Sequence, residues 1–143
     1  MAFPVPEPGL VISYAHLWHR ERGEKKTEGV KDRPCVIVLK IERQNEMVVV
    51  TVSPITHRQP SSETPALELP QSVKRHLGYD SEKSWIVLDE INQFAWPGFD
   101  LRPIRGRNGR IDYSYLPPKL FERVAAGIRD VWRRSRGKSV RRD

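Results

Sequence analysis

The 143-residue chain has little of what builds disulfide-bonded, metal-cluster or membrane-spanning proteins. Cysteine occurs once, at Cys35, so neither an internal disulfide nor a cysteine cluster is available. No apolar run approaches the roughly 20 residues that a membrane span needs. The first residues, MAFPVPEPG, carry neither a basic start nor an apolar core for export. These absences predict a cytoplasmic protein without a membrane segment.

The common catalytic signatures are also missing. The chain contains no phosphate-binding glycine loop, no HExxH, no GxSxG and no paired cysteines. His16 and His19 are three residues apart, but they flank Trp18 at the end of a predicted strand and not on a helix. We therefore expect no metal and no other cofactor.

Positive charge is present in excess and lies mostly at one end. The chain has 25 basic and 18 acidic residues, a net charge of +7, and residues 129–143 alone carry +5. A basic end of this kind is usually solvated, and its sign also suits attraction to nucleic acid or to an acidic protein segment. The sequence thus predicts a basic tail over residues 133–143.

Short β-branched segments predict a mainly β fold that ends in one helix. Residues 35–42 and 47–55 are two such segments, separated by the turn 43–46, and they predict a hairpin. Two prolines, at 117 and 118, predict the start of a helix in which apolar residues recur at helical spacing. Those apolar residues are Leu120, Val124, Ile128 and either Val131 or Trp132.

The remaining segments complete a single domain. They predict, in order, an extended arm over 1–8, a strand over 9–15, a long charged surface loop over 16–32, a polar loop over 58–65, a strand over 66–69, a helix over 71–77 closed by Gly78, a strand over 84–96 that bends midway, a last strand over 101–104 and a basic turn over 105–110. Five or six short strands followed by an amphipathic helix favour a small, strongly bent barrel that the helix covers.

An arginine and a hydroxyl are predicted to meet at one edge of this sheet. Antiparallel pairing of the hairpin brings Arg33, before its first strand, next to Thr56, after its second. Two interpretations are open. Arg33 and Thr56 form a functional pair, or the arginine braces loop carbonyls while the threonine caps a turn.

The chain resembles the PemK/MazF family of toxin proteins from bacterial toxin–antitoxin pairs. The resemblance is carried by G-x-[IV]-[IV] at Gly9–Ile12, R-P before the apolar strand at Arg33–Leu39, P-[IVC]-T at Pro54–Thr56 and D-x-x-x-x-[IF]-A-W at Asp89–Trp96. A closing helix after prolines continues the family order. The chain departs from the family at Lys31, where a glycine is usual, and at Glu90 and Asn92.

This resemblance implies an SH3-like barrel domain over residues 9–132, usually a homodimer, that cleaves single-stranded RNA without a metal. It also implies neutralisation by a disordered protein antitoxin. In the family, the arginine and the threonine of these motifs are central to catalysis, which corresponds to Arg33 and Thr56. An acidic residue five places before the arginine often belongs to the same loop, and Glu28 stands there.

The chemistry fits these residue types. RNA carries its own nucleophile, the 2′-hydroxyl, and the planar fork of an arginine suits the charge that develops on phosphorus. Thr56 would position a phosphate oxygen or the 2′-hydroxyl, and either Glu28 or His57 would take the proton of that hydroxyl. Candidate RNA-binding residues are Arg58, Asp89, Asn92, Trp96, Arg105, Arg107 and Arg110.

Three alternatives remain open at the level of the sequence. Trp96 either stacks on a base or, as we favour, covers the barrel end against the final helix. The whole chain could be a non-catalytic nucleic-acid-binding module, or a protein that binds a partner through an apolar groove. A homodimer would cover exposed strand edges and align two copies of the basic turn 105–110 along one groove.

Overall fold

Most of the chain is described by the computed structural model, which covers residues 3–16, 32–98, 100–135 and 139–141. Its elements are, in chain order, β1 (Leu10–Ala15), β2 (Asp32–Glu42), β3 (Val48–Thr56), β4 (Ala66–Glu68), α1 (Gln71–Leu77), β5 (Trp85–Val87), β6 (Ile91–Trp96), β7 (Asp112–Tyr115), α2 (Pro118–Ser135) and β8 (Ser139–Arg141). Only the first and last residues of the loop predicted over 16–32 are among the described residues, and Glu28 lies outside them.

Strand β3 lies at the centre of the sheet because both of its edges are paired. One edge pairs with β2 in the predicted hairpin. The other edge is shared, with β6 opposite the first half of β3 and β5 opposite its last two residues. The strand predicted over 84–96 is therefore two strands that separate midway and that both pair with β3.

The described strands form an open, mainly antiparallel sheet. Its order is β4-β5-β3-β2-β1-β7, with β6 on β3 and β8 parallel to β6. The two end strands of this order, β4 and β7, are not paired with each other within the described residues. A mainly β fold with a C-terminal helix is thus confirmed, and the described sheet is not closed into a barrel.

The apolar residues divide into two buried clusters. The first lies between the sheet and the helices, and it contains Val11, Val36, Ile55, Leu69, Val73, Leu77, Ile86, Leu88, Leu116, Leu120, Val124, Ile128 and Val131. The second lies among β1, β2, β3 and β6, and it contains Leu10, Ile12, Tyr14, Cys35, Ile37, Val50, Val52, Phe94, Leu101 and Ile111. Helix α2 covers the first cluster with the predicted apolar stripe, in which Val131 is buried and Trp132 is 41% exposed.

Helix α1 ends as the sequence predicts. Gly78 adopts the left-handed conformation, with φ 70°, and its N–H donates to the carbonyl of Arg75. A glycine accepts this conformation without the steric cost that a Cβ imposes. The chain therefore turns sharply after Leu77, and the next residues return toward the end of β3.

The prediction of a strand over 101–104 is wrong. Leu101 makes only a single bridge to Tyr14, and the strand that pairs with β1 is β7. Pro103 cannot donate to a ladder, so the segment cannot continue as a regular strand. Ser13 instead accepts from the N–H of Arg102 and donates to the carbonyl of Ile111, which starts the pairing with β7.

Described residues near both ends of the chain contact the sheet. Pro6 is buried, and Glu7 forms an ion pair with Lys40 of β2. Helix α2 continues to Ser135, beyond the predicted boundary at residue 132, and β8 pairs with β6. None of the helices among the described residues has the length and apolar character to cross a membrane.

Truncation of a core isoleucine tests the division of β2 into a buried and an exposed half. Ile37 is 0% exposed and Ile41, on the same strand, is 39% exposed. We expect Ile37→Ala to lower the free energy of unfolding by about 2–5 kcal/mol, because it leaves a cavity. Ile41→Ala should cost about 0.5 kcal/mol or less. Urea denaturation measures both, and equal losses would contradict the core.

Candidate functional site

The register of the hairpin places Arg33 and Thr56 at the same edge of the sheet. Cys35 of β2 pairs directly with Pro54 of β3. Continuing this antiparallel register by two residues brings Arg33 beside Thr56. Tyr14 of β1 pairs with Arg33 from the other side. Arg33 is half-buried and Thr56 is buried.

Thr56 has a structural role that the sequence allowed for. Its Oγ1 accepts a hydrogen bond from the backbone N–H of Arg58 at 3.2 Å. The hydroxyl therefore caps the turn that follows β3. Because a hydroxyl has one donor and two acceptor positions, the proton of Thr56 remains able to donate to a ligand oxygen.

His57 follows Thr56 and is held on two sides. Its ring stacks on the ring of Tyr79, with centroids 5.5 Å apart and planes 6° apart. Its Nε2 lies 2.7 Å from Oδ2 of Asp80. Tyr79 in turn meets Tyr113 of β7 edge-on, with centroids 5.6 Å apart. Three separate segments therefore converge on the end of β3.

A buried lysine holds the carboxylate that binds His57. The side chain of Lys74, on α1, is 0% exposed, and its Nζ lies 2.7 Å from Oδ1 of Asp80 and 2.8 Å from Oγ of Ser84. The ammonium also donates to the carbonyl of Glu82. It lies 4.9 Å from the ring centroid of Tyr79. We call Lys74, Asp80 and His57 the Lys–Asp–His cluster.

The charges of this cluster keep Asp80 ionised. Burial by itself would raise the pKa of Asp80, but the hydrogen bond from Lys74 and the charges of His57 and Lys74 outweigh it. The pKa of Asp80 is consequently below its ordinary value. A carboxylate that stays charged across the physiological range can accept hydrogen bonds from Lys74 and His57 at once.

The charge of Arg33 reaches the same region. Burial raises the pKa of Tyr79. The charges of Asp80 and Tyr113 add to this rise, and the charge of Arg33 opposes it. Burial likewise raises the pKa of the Cys35 thiol, again against the charge of Arg33. Arg33 therefore acts electrostatically on the ring that stacks on His57, while Cys35 remains a protonated core residue.

The basic turn 105–110 is attached to this region through Arg107. Its guanidinium donates to the carbonyls of Leu77 and Gly78 at 2.7 and 3.2 Å, and it lies 5.0 Å from the ring centroid of Tyr113. Arg107 thus satisfies carbonyls at the end of α1. Arg105 is exposed, and Arg110 is paired with Asp112 at 2.8 Å.

Two of the predicted RNA-binding residues, Asn92 and Trp96, lie further along the sheet from this edge. Trp96 pairs opposite Val48, eight residues before Thr56, which is about 27 Å along an extended strand. It is half-buried and stacks on Phe94 in the second core cluster, which lies among β1, β2, β3 and β6. Asn92 is buried and donates to the carbonyl of Ile91.

Asp89, another predicted RNA-binding residue, is half-buried between β5 and β6. Arg58, in contrast, is exposed and follows His57 directly. The structure therefore brings together Arg33, Thr56, His57, Arg58 and the turn that carries Arg107. Asn92 and Trp96 instead lie opposite Val52 and Val48, four and eight residues before Thr56 on β3.

Lys74, Tyr79 and Asp80 belong to this site but were not predicted from the sequence. The only signal for them is the helix that ends at Gly78, because a sharp turn there returns the chain to the sheet. Lys74 lies on the buried side of this helix, where charged residues are rare unless they are paired. A lysine among the buried positions of a short helix could therefore have indicated a buried partner.

One group of side chains among the described residues has the donor set for a cation. Nε2 of His57 and carboxylate oxygens of Asp80 and Glu82 all lie within 4.8 Å of one another. Imidazole and carboxylate ligands of this kind suit zinc and related ions. The ammonium of Lys74 on the other oxygen of Asp80 opposes a second positive charge at this place.

No family model matches the chain, and no curated protein matches it.

Loss of the Asp80 carboxylate should destabilise the fold in a pH-dependent way. In Asp80→Asn the buried ammonium of Lys74 loses its counter-charge, and we expect a loss of about 1–3 kcal/mol at neutral pH. Since the pKa of Asp80 is lowered in the folded state, the stability that its carboxylate contributes is present above the ordinary carboxyl pKa of 3.8 and is lost as the pH falls through the folded-state pKa. Thermal unfolding of both chains between pH 3 and 8 measures this.

Two further variants control this experiment. Asp130→Asn makes the same change on the surface of α2, where Asp130 pairs with exposed Arg134, and should cost about 0.5 kcal/mol or less. Lys74→Met combined with Asp80→Asn removes the buried charge as well and should be more stable than Asp80→Asn alone. A double variant less stable than the single one would contradict the cost assigned to the unpaired lysine.

Proposed function

We propose that the chain is a metal-independent endoribonuclease that cleaves single-stranded RNA, the activity implied by its resemblance to the PemK/MazF toxins, on a sheet of the SH3-like barrel type. The observation that carries the proposal is the convergence of Arg33, Thr56 and His57 at one edge of the sheet. Cleavage of a phosphodiester by the 2′-hydroxyl needs a group that binds the anion, a hydrogen-bond donor and a proton acceptor. An arginine, a hydroxyl and an imidazole can supply these functions.

The reaction assigns one role to each of these groups. The 2′-oxygen attacks the adjacent phosphorus, and its proton passes to Glu28 or His57. Arg33 stabilises the charge on the phosphorane oxygens, and the Thr56 hydroxyl donates to one of them. The bond from phosphorus to the 5′-oxygen breaks, and that oxygen takes a proton from water. The hydroxide left behind takes up the proton that Glu28 or His57 received, which restores the base. The products are a 2′,3′-cyclic phosphate and a 5′-hydroxyl.

Exposed basic residues beside this edge would hold the RNA strand. Arg58 follows His57, and Arg105 lies in the turn that Arg107 attaches to the end of α1. Their charges act on phosphates without sequence preference. Because Asn92 and Trp96 lie elsewhere and are committed to internal contacts, RNA recognition would depend on the basic residues of this edge.

The resemblance also implies a homodimer that a protein antitoxin neutralises. Strand β7 pairs only with β1 among the described strands, and an edge of this kind is available for pairing with a second copy. Light scattering at micromolar concentration tests the dimer. A mass near 16.6 kDa that persists on concentration would contradict it.

A partner-binding role is the second candidate, and a specific cavity favours it. An apolar groove of about 610 Å³ lies between α2 and the sheet. It is lined by Val38, Leu39, Thr51, Ile91, Gln93, Ala125, Ile128, Arg129, Trp132 and Arg133. Incubation with RNA and a chelator separates the candidates. Cleavage supports the nuclease, and binding without cleavage supports a nucleic-acid-binding module. If the chain neither cleaves nor binds RNA, the result supports a protein partner.

Replacement of Arg33 tests the nuclease directly. We expect Arg33→Ala to lower kcat about 10²- to 10³-fold, because it removes a donor to the developing charge, and to leave the melting temperature nearly unchanged. Arg58→Ala is the matched control, since it removes a neighbouring arginine from the binding surface. It should raise KM at low salt and preserve kcat at saturating RNA. Activity preserved per folded molecule in Arg33→Ala would make Arg33 structural.

A further inference from the structure

The contacts of His57 distinguish it from every other histidine whose side chain the structure describes. Its Nε2 is 2.7 Å from Oδ2 of Asp80, and the other oxygen of Asp80 is 2.7 Å from the ammonium of buried Lys74. His16, in contrast, is buried beside the carbonyl of Glu90. The side chain of His57 is 37% exposed, so it combines a fixed orientation with access from solvent.

We propose that Asp80, anchored by Lys74, is a positioning residue that holds His57 with Nδ1 as the acceptor of the 2′-hydroxyl proton. This inference rests on the proposed function and deepens it, because it assigns the proton acceptor that the sequence leaves open between Glu28 and His57.

The hydrogen bond to Asp80 sets the tautomer of His57. An ionised carboxylate can only accept hydrogen bonds, so Nε2 of a neutral His57 carries the hydrogen that is shared with Asp80. The other nitrogen, Nδ1, then has the lone pair that a general base requires. Once Nδ1 has taken a proton, the carboxylate of Asp80 stabilises the resulting imidazolium.

Two contacts set the orientation of the His57 ring. Stacking on Tyr79 sets the plane of the His57 ring, and the bond to Asp80 sets its rotation within that plane. Asp80 is itself fixed, because Lys74 binds its other oxygen and the N–H of Glu82 donates to the same oxygen at 3.1 Å. A base held in this way loses little orientational freedom when the substrate binds.

Several charged groups act on His57. Asp80 and Glu82 face it from the loop after α1, with Oε2 of Glu82 at 3.7 Å from Nε2. Lys74 acts through Asp80, and Arg33 acts on Tyr79, which stacks on the ring. Both carboxylates favour protonation of the imidazole, yet only Asp80 is within hydrogen-bond distance.

The experiment compares Asp80→Asn with two matched variants of the full chain. Single-turnover cleavage gives the rate constant at saturating RNA, and ring ¹⁵N shifts give the tautomer of His57. We expect Asp80→Asn to lower the rate constant about 100-fold or more with KM changed less than about threefold, because the general base is misoriented. Its amide N–H₂ can donate to Nε2, so the ring population should shift toward the Nδ1–H tautomer.

The matched variants separate positioning from other effects. Glu82→Gln removes the neighbouring carboxylate that lies at 3.7 Å, beyond hydrogen-bond distance, and should lower the rate constant far less than Asp80→Asn does. Asp130→Asn makes the same substitution on the surface of α2 and should keep the rate constant within about twofold. The Lys74→Met/Asp80→Asn double variant should regain stability but not the rate. Recovery of both together would make Asp80 merely structural and overturn the proposal.

Other outcomes are equally decisive. An unchanged rate and tautomer in Asp80→Asn, with a wild-type chain that cleaves RNA, would overturn the positioning role and leave the nuclease standing. Loss of cleavage in Glu82→Gln together with a requirement for added Zn²⁺ would overturn it in favour of a metal site at His57, Asp80 and Glu82. A wild-type chain that does not cleave RNA would overturn the proposed function itself, whatever the ring tautomer.

Discussion

The pairing of β3 along both edges is the constraint on which the rest of the structure depends. Since side chains alternate across a strand, a slip of one residue between β2 and β3 would exchange the two faces. It would move Ile37 and Val52 out of the second core cluster, so burial holds the register. That same register brings Arg33 to the end of β3, where Thr56 and His57 leave the sheet. Core packing and site geometry are therefore fixed by one set of hydrogen bonds.

The buried ammonium of Lys74 is the second element of this organisation. Taking a charge out of water is unfavourable, and the interior tolerates it here because a carboxylate, a hydroxyl, a carbonyl and an aromatic face surround the ammonium. An apolar residue at this position would pack without that cost. What the lysine provides instead is a fixed position for Asp80 at the surface, which an apolar side chain could not supply.

The hairpin, the αL end of α1 and the stripe of α2 could be predicted because each depends on residues close in sequence: β-branched runs, Gly78, and apolar residues at helical spacing. Strand β7 was missed, since its pairing with β1 follows from tertiary packing and the apolar residues at 101 and 104 offered a competing segment. In the candidate site, Arg33 and Thr56 follow from strand pairing alone. The contact between His57 and Asp80 depends on where α1 docks, which no local pattern encodes.

This difference has a consequence for how the site is built. Val73 and Leu77 bury α1 in the first core cluster, while Lys74, Tyr79 and Asp80 on and after the same helix contact His57. The hydrophobic side of α1 therefore supplies the stability, and its polar residues supply the orientation of the imidazole. Arg107 closes the end of this helix and attaches the basic turn to it. Docking of one short helix thus couples the imidazole of His57 to the basic turn, so a chain that loses the helix would retain Arg33 and Thr56 but not a fixed His57.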